Sequence, residues 1–166
     1  NGLQDARLRL TVSRGEVDAF PGSSTSAVPT VLVTATSYSA MSAEIYSKGY
    51  KVGVSSLRRH SQSPLSRIKS ANYLLSVLAR MESEAAGRNE SLLLNEHDFI
   101  TEGSISNVFF VAHTGLVTPP VESGILPGIT REVVMELADA LGISVTEGEV
   151  RLEDLGQFDE AFLTNS

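Results

Sequence analysis

Cysteine is absent from this chain of 166 residues. Disulfides, thiolate nucleophiles and thiolate-held metals are excluded with it. Histidine is scarce: His60, His97 and His113 share neither helical nor strand-paired spacing, so inert surface histidines are expected and no metal site. Positive charge is short as well. The formal net charge is −7 with no basic stretch beyond Arg58-Arg59, which argues against a nucleic-acid surface. No apolar run approaches the roughly 20 residues of a membrane-spanning helix, and no stretch reads as a signal peptide. There is no Gly-x-Ser-x-Gly elbow to support a serine hydrolase. The glycosylation-like triplet at Asn89 is read as a chance match. What remains is the expectation of a cytoplasmic enzyme or binding domain, with no nucleic-acid or membrane partner.

With 42% hydrophobic and 20% charged residues, the composition is that of one ordinary globular domain. The chain starts at Asn1-Gly2, runs almost at once into "RLRLTVSRG" and stops at "DEAFLTNS". A piece of a larger protein is expected, one domain over 1–166. Residues 7–13 alternate, with Leu8, Leu10 and Val12 on one face, as in a half-buried strand. After the loop "FPGSSTSAVP", the β-branched run 30–36 predicts a second strand and "YKVGVSS" a third. From Lys69 the period becomes helical through Leu74, Val77, Leu78, Met81 and Ala85, with Gly87 as the stop. "SLLLN" and "ISNVFFVA" predict strands, separated by a turn at "NEHD". "REVVMELADALG" predicts a helix buried through Val133, Val134, Leu137, Ala138 and Leu141, with Gly142 beyond its end. "ISVTEGEV" and "EAFLT" complete the strands, around a helical turn at "LEDL". The fold class expected is α+β, a mixed and mostly antiparallel sheet with packed helices and no internal repeat.

Three stretches carry possible chemistry. In "SRIKSANYL", Lys69 sits in mostly apolar company at the expected helix start. A lysine there either snorkels to water or serves as a nucleophile. In "ITEGSISNVFFV", Glu102 ends one apolar stretch, Gly103 breaks it, and Ser104, Ser106 and Asn107 open the next strand. This is either a turn with a solvated glutamate or a carboxylate placed for a cationic ring nitrogen, beside a glycine that permits close approach. "LPGIT" places Gly128, Ile129 and Thr130 at a helix N-terminus, as a plain cap or as an anion site. Taken together, a Schiff-base lysine, a carboxylate for a pyridinium and a helix N-terminus for a phosphate suit pyridoxal 5′-phosphate.

In order and spacing, "RIKSANYLLSVLAR", "EGSISNVFFV", "GILPGITREVVMELA" and "DEAFLTNS" resemble the class IV (fold type IV) pyridoxal-phosphate-dependent aminotransferases. That family includes branched-chain and D-amino-acid aminotransferases and 4-amino-4-deoxychorismate lyases. The resemblance implies that Lys69 forms the Schiff base, that Glu102 faces the pyridine nitrogen, and that Ser104, Ser106 and Asn107 line the cofactor. It assigns the phosphate to Gly128, Ile129 and Thr130, with Asn165 and Ser166 adding a contact. It further implies a large cofactor-anchoring domain of a homodimeric enzyme of amino-acid metabolism, a fragment expected to lack the C-terminal end and the small N-terminal domain that supplies a phosphate-binding arginine and part of the pocket. "KSANYL" and "FLTNS" resemble the lyases of folate biosynthesis most. A branched-chain or D-amino-acid aminotransferase using 2-oxoglutarate is the alternative, and an inactive cofactor-binding scaffold is the reading from another class.

Overall fold

Residues 2–16 and 28–166 are described by the computed structural model, in which the chain divides into two units, 1–49 and 50–166. In the first unit the alternating segment forms β1 (Ala6–Ser13), and the β-branched run forms β2 (Thr30–Ser37). They pair antiparallel, with Leu8 opposite Ala35, Leu10 opposite Val33 and Val12 opposite Val31. Most of the loop expected between them, residues 20–27 with part of its flank, lies outside the described residues apart from Val28 and Pro29. A short helix, α1 (Ala43–Lys48), follows, with a Lys48–Glu44 ion pair one turn apart at 2.6 Å. Neither strand reaches a core: Leu8, Leu10 and Val12 are 70%, 66% and 61% exposed, against the half-buried expectation.

The second unit opens with β3 (Val52–Arg59), α2 (Leu74–Ala85) and β4 (Glu90–Asn95), and the two strands lie parallel. Parallel neighbours need a crossover, and the helix supplies it. β5 (Ile100–Gly103) then returns antiparallel on β4. A second sheet has the order β8-β7-β6-β9, from β6 (Asn107–Ala112), β7 (Gly115–Thr118), β8 (Val145–Glu147) and β9 (Glu160–Thr164). Its β6 pairs antiparallel with β7 and β9, and β7 and β8 run parallel around α3 (Ile129–Ala140). The α+β class and the mixed, mostly antiparallel pairing are thus as expected. The single sheet is replaced by three sheets among the described residues.

β4 carries the apolar run Leu92–Leu94 between polar ends and is buried along its whole length. Leu92, Leu94, Ile100, Val108, Phe110 and Val150 pack together, with Val117, Phe158 and Leu163 against them. Phe109, fully buried on the other face of β6, stacks on Phe162 at 5.0 Å between ring centroids.

Both long helices depart from expectation. α2 starts at Leu74, five residues after Lys69, because Ser70 turns its hydroxyl back to accept the Asn72 N–H at 3.2 Å and holds the backbone out of the helix. It buries Ala79 and Ser83, while Leu74, Leu78 and Met81 face out. α3 buries Arg131 and Ala138 and leaves Val133, Leu137 and Leu141 exposed. Small residues let α2 approach its sheet, whereas α3 buries one small residue and Arg131, whose guanidinium donates to the Pro119 carbonyl at 3.0 Å and pairs with Glu147. Gly142 does follow the helix in a left-handed conformation, φ +72°, as a C′ glycine should. "ISVTEGEV" contributes only the three residues of β8.

Candidate functional site

β3 is patterned against its own hydropathy. Gly53 and Ser55 are buried, whereas Val52 and Val54 are 41% and 37% exposed. With a period of two, the same phase turns Arg59 inward and Arg58 outward, where Arg58 meets Asp98 at 3.1 Å. Arg59 reaches three separate segments. Its Nη1 pairs with Glu102 Oε1 at 2.8 Å, its Nε donates to the Gly124 carbonyl at 2.7 Å, and its Nη2 donates to the Ser66 carbonyl at 2.9 Å.

Glu102 lies near the end of β5 and is 6% exposed, so the solvated-turn reading is wrong. Its second oxygen, Oε2, accepts the Leu126 N–H at 2.9 Å and an Asn107 Nδ2–H at 3.2 Å. Burial pushes this carboxyl up to about 7, against the opposing pull of the Arg59 guanidinium, the Leu126 N–H and the charge of Lys69. Lys69 itself is exposed and sits between the 3-10 turn Pro64–Arg67 and α2. The apolar company seen around it in sequence is not a desolvated pocket within these residues. The segment before it is fixed: Arg59 holds the Ser66 carbonyl, and the Ser66 hydroxyl donates to the His60 carbonyl at 2.9 Å.

The serines of "EGSISN" point elsewhere. Ser104 donates through both N–H and hydroxyl to Glu90, and Ser106 Oγ donates to it at 3.3 Å. Glu90 is 3% exposed and also accepts the Ser91 N–H, so this second buried carboxylate builds the turn that follows Glu102. Gly103 leaves the space that Ser106 Oγ occupies, so a Cβ there would displace that hydroxyl from Glu90.

At the other end of the site, α3 is capped by Gly128, not Thr130, and no side chain caps its first turn. Its leading N–H groups keep their capacity for an anion. Thr130 instead donates its hydroxyl to the Asn165 carbonyl at 3.1 Å, which brings the end of β9 to the helix N-terminus. Beside them the Thr164 hydroxyl is buried with no protein partner. Asn165 and Ser166 are exposed. Among the described residues no cluster of metal-ligating side chains occurs, and His60, His97 and His113 are all exposed.

Sequence reasoning passed over Arg59, seen only as half of a basic pair, and Glu90. The hydropathy of β3 points the wrong way, since valines turned inward at 52 and 54 would have placed Arg58 inside, and only the observed burial of Gly53 and Ser55 picks out Arg59.

The whole chain, residues 1–166, matches the amino-transferase class IV family. It is 39% identical over its full length to a Methanocaldococcus jannaschii protein provisionally named a branched-chain-amino-acid aminotransferase, covering 57% of that protein. It is 35% identical over its full length to the aminodeoxychorismate lyase of Bacillus subtilis, covering 56%. The solved T.th. branched-chain amino acid aminotransferase with pyridoxamine 5′-phosphate superimposes with a TM-score of 0.76 and 36% identity, over 81% of this chain and 45% of that one. The chain therefore belongs to the class IV aminotransferase family. It spans just over half the length of the curated relatives it matches.

Proposed function

We propose that this chain forms the pyridoxal 5′-phosphate-anchoring part of a class IV enzyme acting on an amino-acid-type substrate. The observation that carries the reading is Glu102: a buried carboxylate, clasped by Arg59, with the charge of Lys69 acting on it. The donor set fits the cofactor. Glu102 would hold the ring nitrogen as a cation, and Lys69 offers the amine for the Schiff base. The uncapped N-terminus of α3, from Gly128 through Ile129 and Thr130, would hold the phosphate, with Asn165, Ser166 and the unpartnered Thr164 hydroxyl at hand. Ser104, Ser106 and Asn107 shape the wall behind Glu102. When bound, the cofactor supplies an electron sink for the charge left at Cα after proton loss. Lys69 takes and returns that proton, and Glu102 stabilises the positive ring nitrogen on which the sink depends.

Between the two branches of the family, "KSANYL" and "FLTNS" support 4-amino-4-deoxychorismate lyase, with release of pyruvate in folate biosynthesis. The M. jannaschii relative supports branched-chain transamination instead. Both start with the same proton transfer by Lys69. The full-length protein is read as a cytoplasmic homodimer; among the described residues no helix is long and apolar enough to cross a membrane.

Borohydride reduction of the full-length protein loaded with cofactor, followed by peptide mapping, tests the reading. The label is expected on Lys69, and Lys69→Ala should bind cofactor without covalent capture and lose turnover. Label on Lys48 or Lys51 overturns the assignment. Pyruvate release from aminodeoxychorismate, measured beside a panel of amino acids with 2-oxoglutarate, separates the branches. Silence in both assays leaves the scaffold reading.

A further inference from the structure

Asn107 opens β6 and is 7% exposed. Its Nδ2 donates to Glu102 Oε2 at 3.2 Å and to the Leu126 carbonyl at 2.9 Å. The Leu126 N–H donates to that same glutamate oxygen at 2.9 Å. One side-chain amide and one residue's backbone therefore close a small ring between the end of β5 and the Leu126–Gly128 segment that enters α3. The other end of the amide is equally constrained: Oδ1 occupies the space in which a side chain at Gly128 would begin. A Cβ at 128 leaves Asn107 no room unless its amide swings away from Glu102.

We propose that Asn107 is a positioning residue that couples the two ends of the site, tying the Glu102 carboxylate to the entry of α3 so that neither moves alone. Its functional meaning rests on the reading of Glu102 and α3 as cofactor-holding groups, but the coupling is a property of this chain by itself. The physical reason is the scarcity of donors around a buried anion. Oε2 has two N–H partners, and withdrawing one stabilises the protonated carboxyl relative to the anion. The charged groups that act on Glu102 are Arg59 from β3 and Lys69 from the segment before α2. Both favour the anion, and neither is altered by a change at 107 or 128.

The test is the titration of Glu102, followed by carboxyl carbon NMR in the full-length protein without cofactor, with the signal identified by its loss in Glu102→Gln. Asn107→Ser removes the amide, and Gly128→Ala changes no polar group but evicts it. Each is expected to move the midpoint of Glu102 upward by about one pH unit. The double variant should move it no further than Asn107→Ser alone, because serine leaves room for the new methyl group. A residue serving only to stabilise the fold would lower the melting temperature and leave the midpoint in place. An unmoved midpoint in Gly128→Ala overturns the coupling, and this variant suffices if Asn107→Ser does not fold. A full second shift in the double variant overturns it too. If the midpoints move as expected while borohydride labels a lysine other than Lys69, the coupling stands and the cofactor reading falls.

Discussion

Leu8, Leu10 and Val12 alternate cleanly along β1 with Arg9 and Thr11, yet all three face water. Along β5 and the turn after it, Thr101, Glu102, Ser104 and Ser106 are polar, yet all four are buried. The two-stranded ladder of residues 6–37 has every backbone register expected of a hairpin and, among the described residues of its unit, no second layer; two strands alone are marginal in water. The unit of residues 50–166 has sheets, helices and a shared core, and only that setting can hide a carboxylate. Alternation therefore specifies a strand and its register. Burial, and the chemistry that depends on it, comes from what lies across the strand.

The sharpest way to break this contrast is at Glu102. Glu102→Gln keeps the shape but removes the negative charge, so single-turnover Cα deprotonation in the full-length enzyme should slow by orders of magnitude while cofactor affinity falls less. A rate within a few-fold of the parent protein removes Glu102 from the mechanism. The same variant tests the electrostatics without cofactor. Burial raises the folded carboxyl from 4.5 to about 7, so the folded state holds this proton more tightly than the unfolded state. The stability it contributes is complete below the unfolded value and is lost as pH rises through about 7. Denaturation midpoints should fall across that window in the parent protein and stay flatter in Glu102→Gln.

Next in size is Phe109→Ala. Its ring is fully buried against Phe162, and its loss should cost about 3–5 kcal/mol in chemical denaturation. A cost under about 1 kcal/mol would mean that the second sheet has no packed core. Thr130→Val then probes the helix end. Removing the hydroxyl that meets the Asn165 carbonyl should weaken phosphate or cofactor binding by about 1–3 kcal/mol, read by calorimetry. Unchanged affinity would leave Thr130 a helix residue and nothing more. The smallest effect is expected at Leu10→Ala, 66% exposed in β1, which should change stability within about 0.5 kcal/mol. A loss comparable to that of Phe109→Ala would show that the ribbon is covered in the full-length protein.

Much of this architecture was legible because the local signals agree. A β-branched run marks β2, three successive leucines mark β4, and glycine marks the end of α3. The short elements α1, β5 and β7 were not legible: they are too short to show a period and, unlike the equally short β4, β6 and β9, have no run of three apolar residues. The helix faces were misread for a physical reason: Ala79 and Ala138 are small enough to sit against a sheet, so the leucines were sent outward. At the site, Lys69, Glu102 and the α3 entry stood out by residue type in context. The supporting residues did not, because Arg59 and Glu90 act through bonds to chain segments far away in sequence.

Arg59 also sets an order in time. Its guanidinium completes its bonds only when residues 66, 102 and 124 are all present. During synthesis from the N-terminus, the β3-α2-β4 crossover can form while two of those partners are still unmade. Contacts that span such long stretches close late, after local pairing has set the scaffold. A nascent chain that ends before Gly124 therefore lacks one of the three partners of Arg59 and the Leu126 N–H that meets Glu102, so the clasp cannot be complete until that segment has been made.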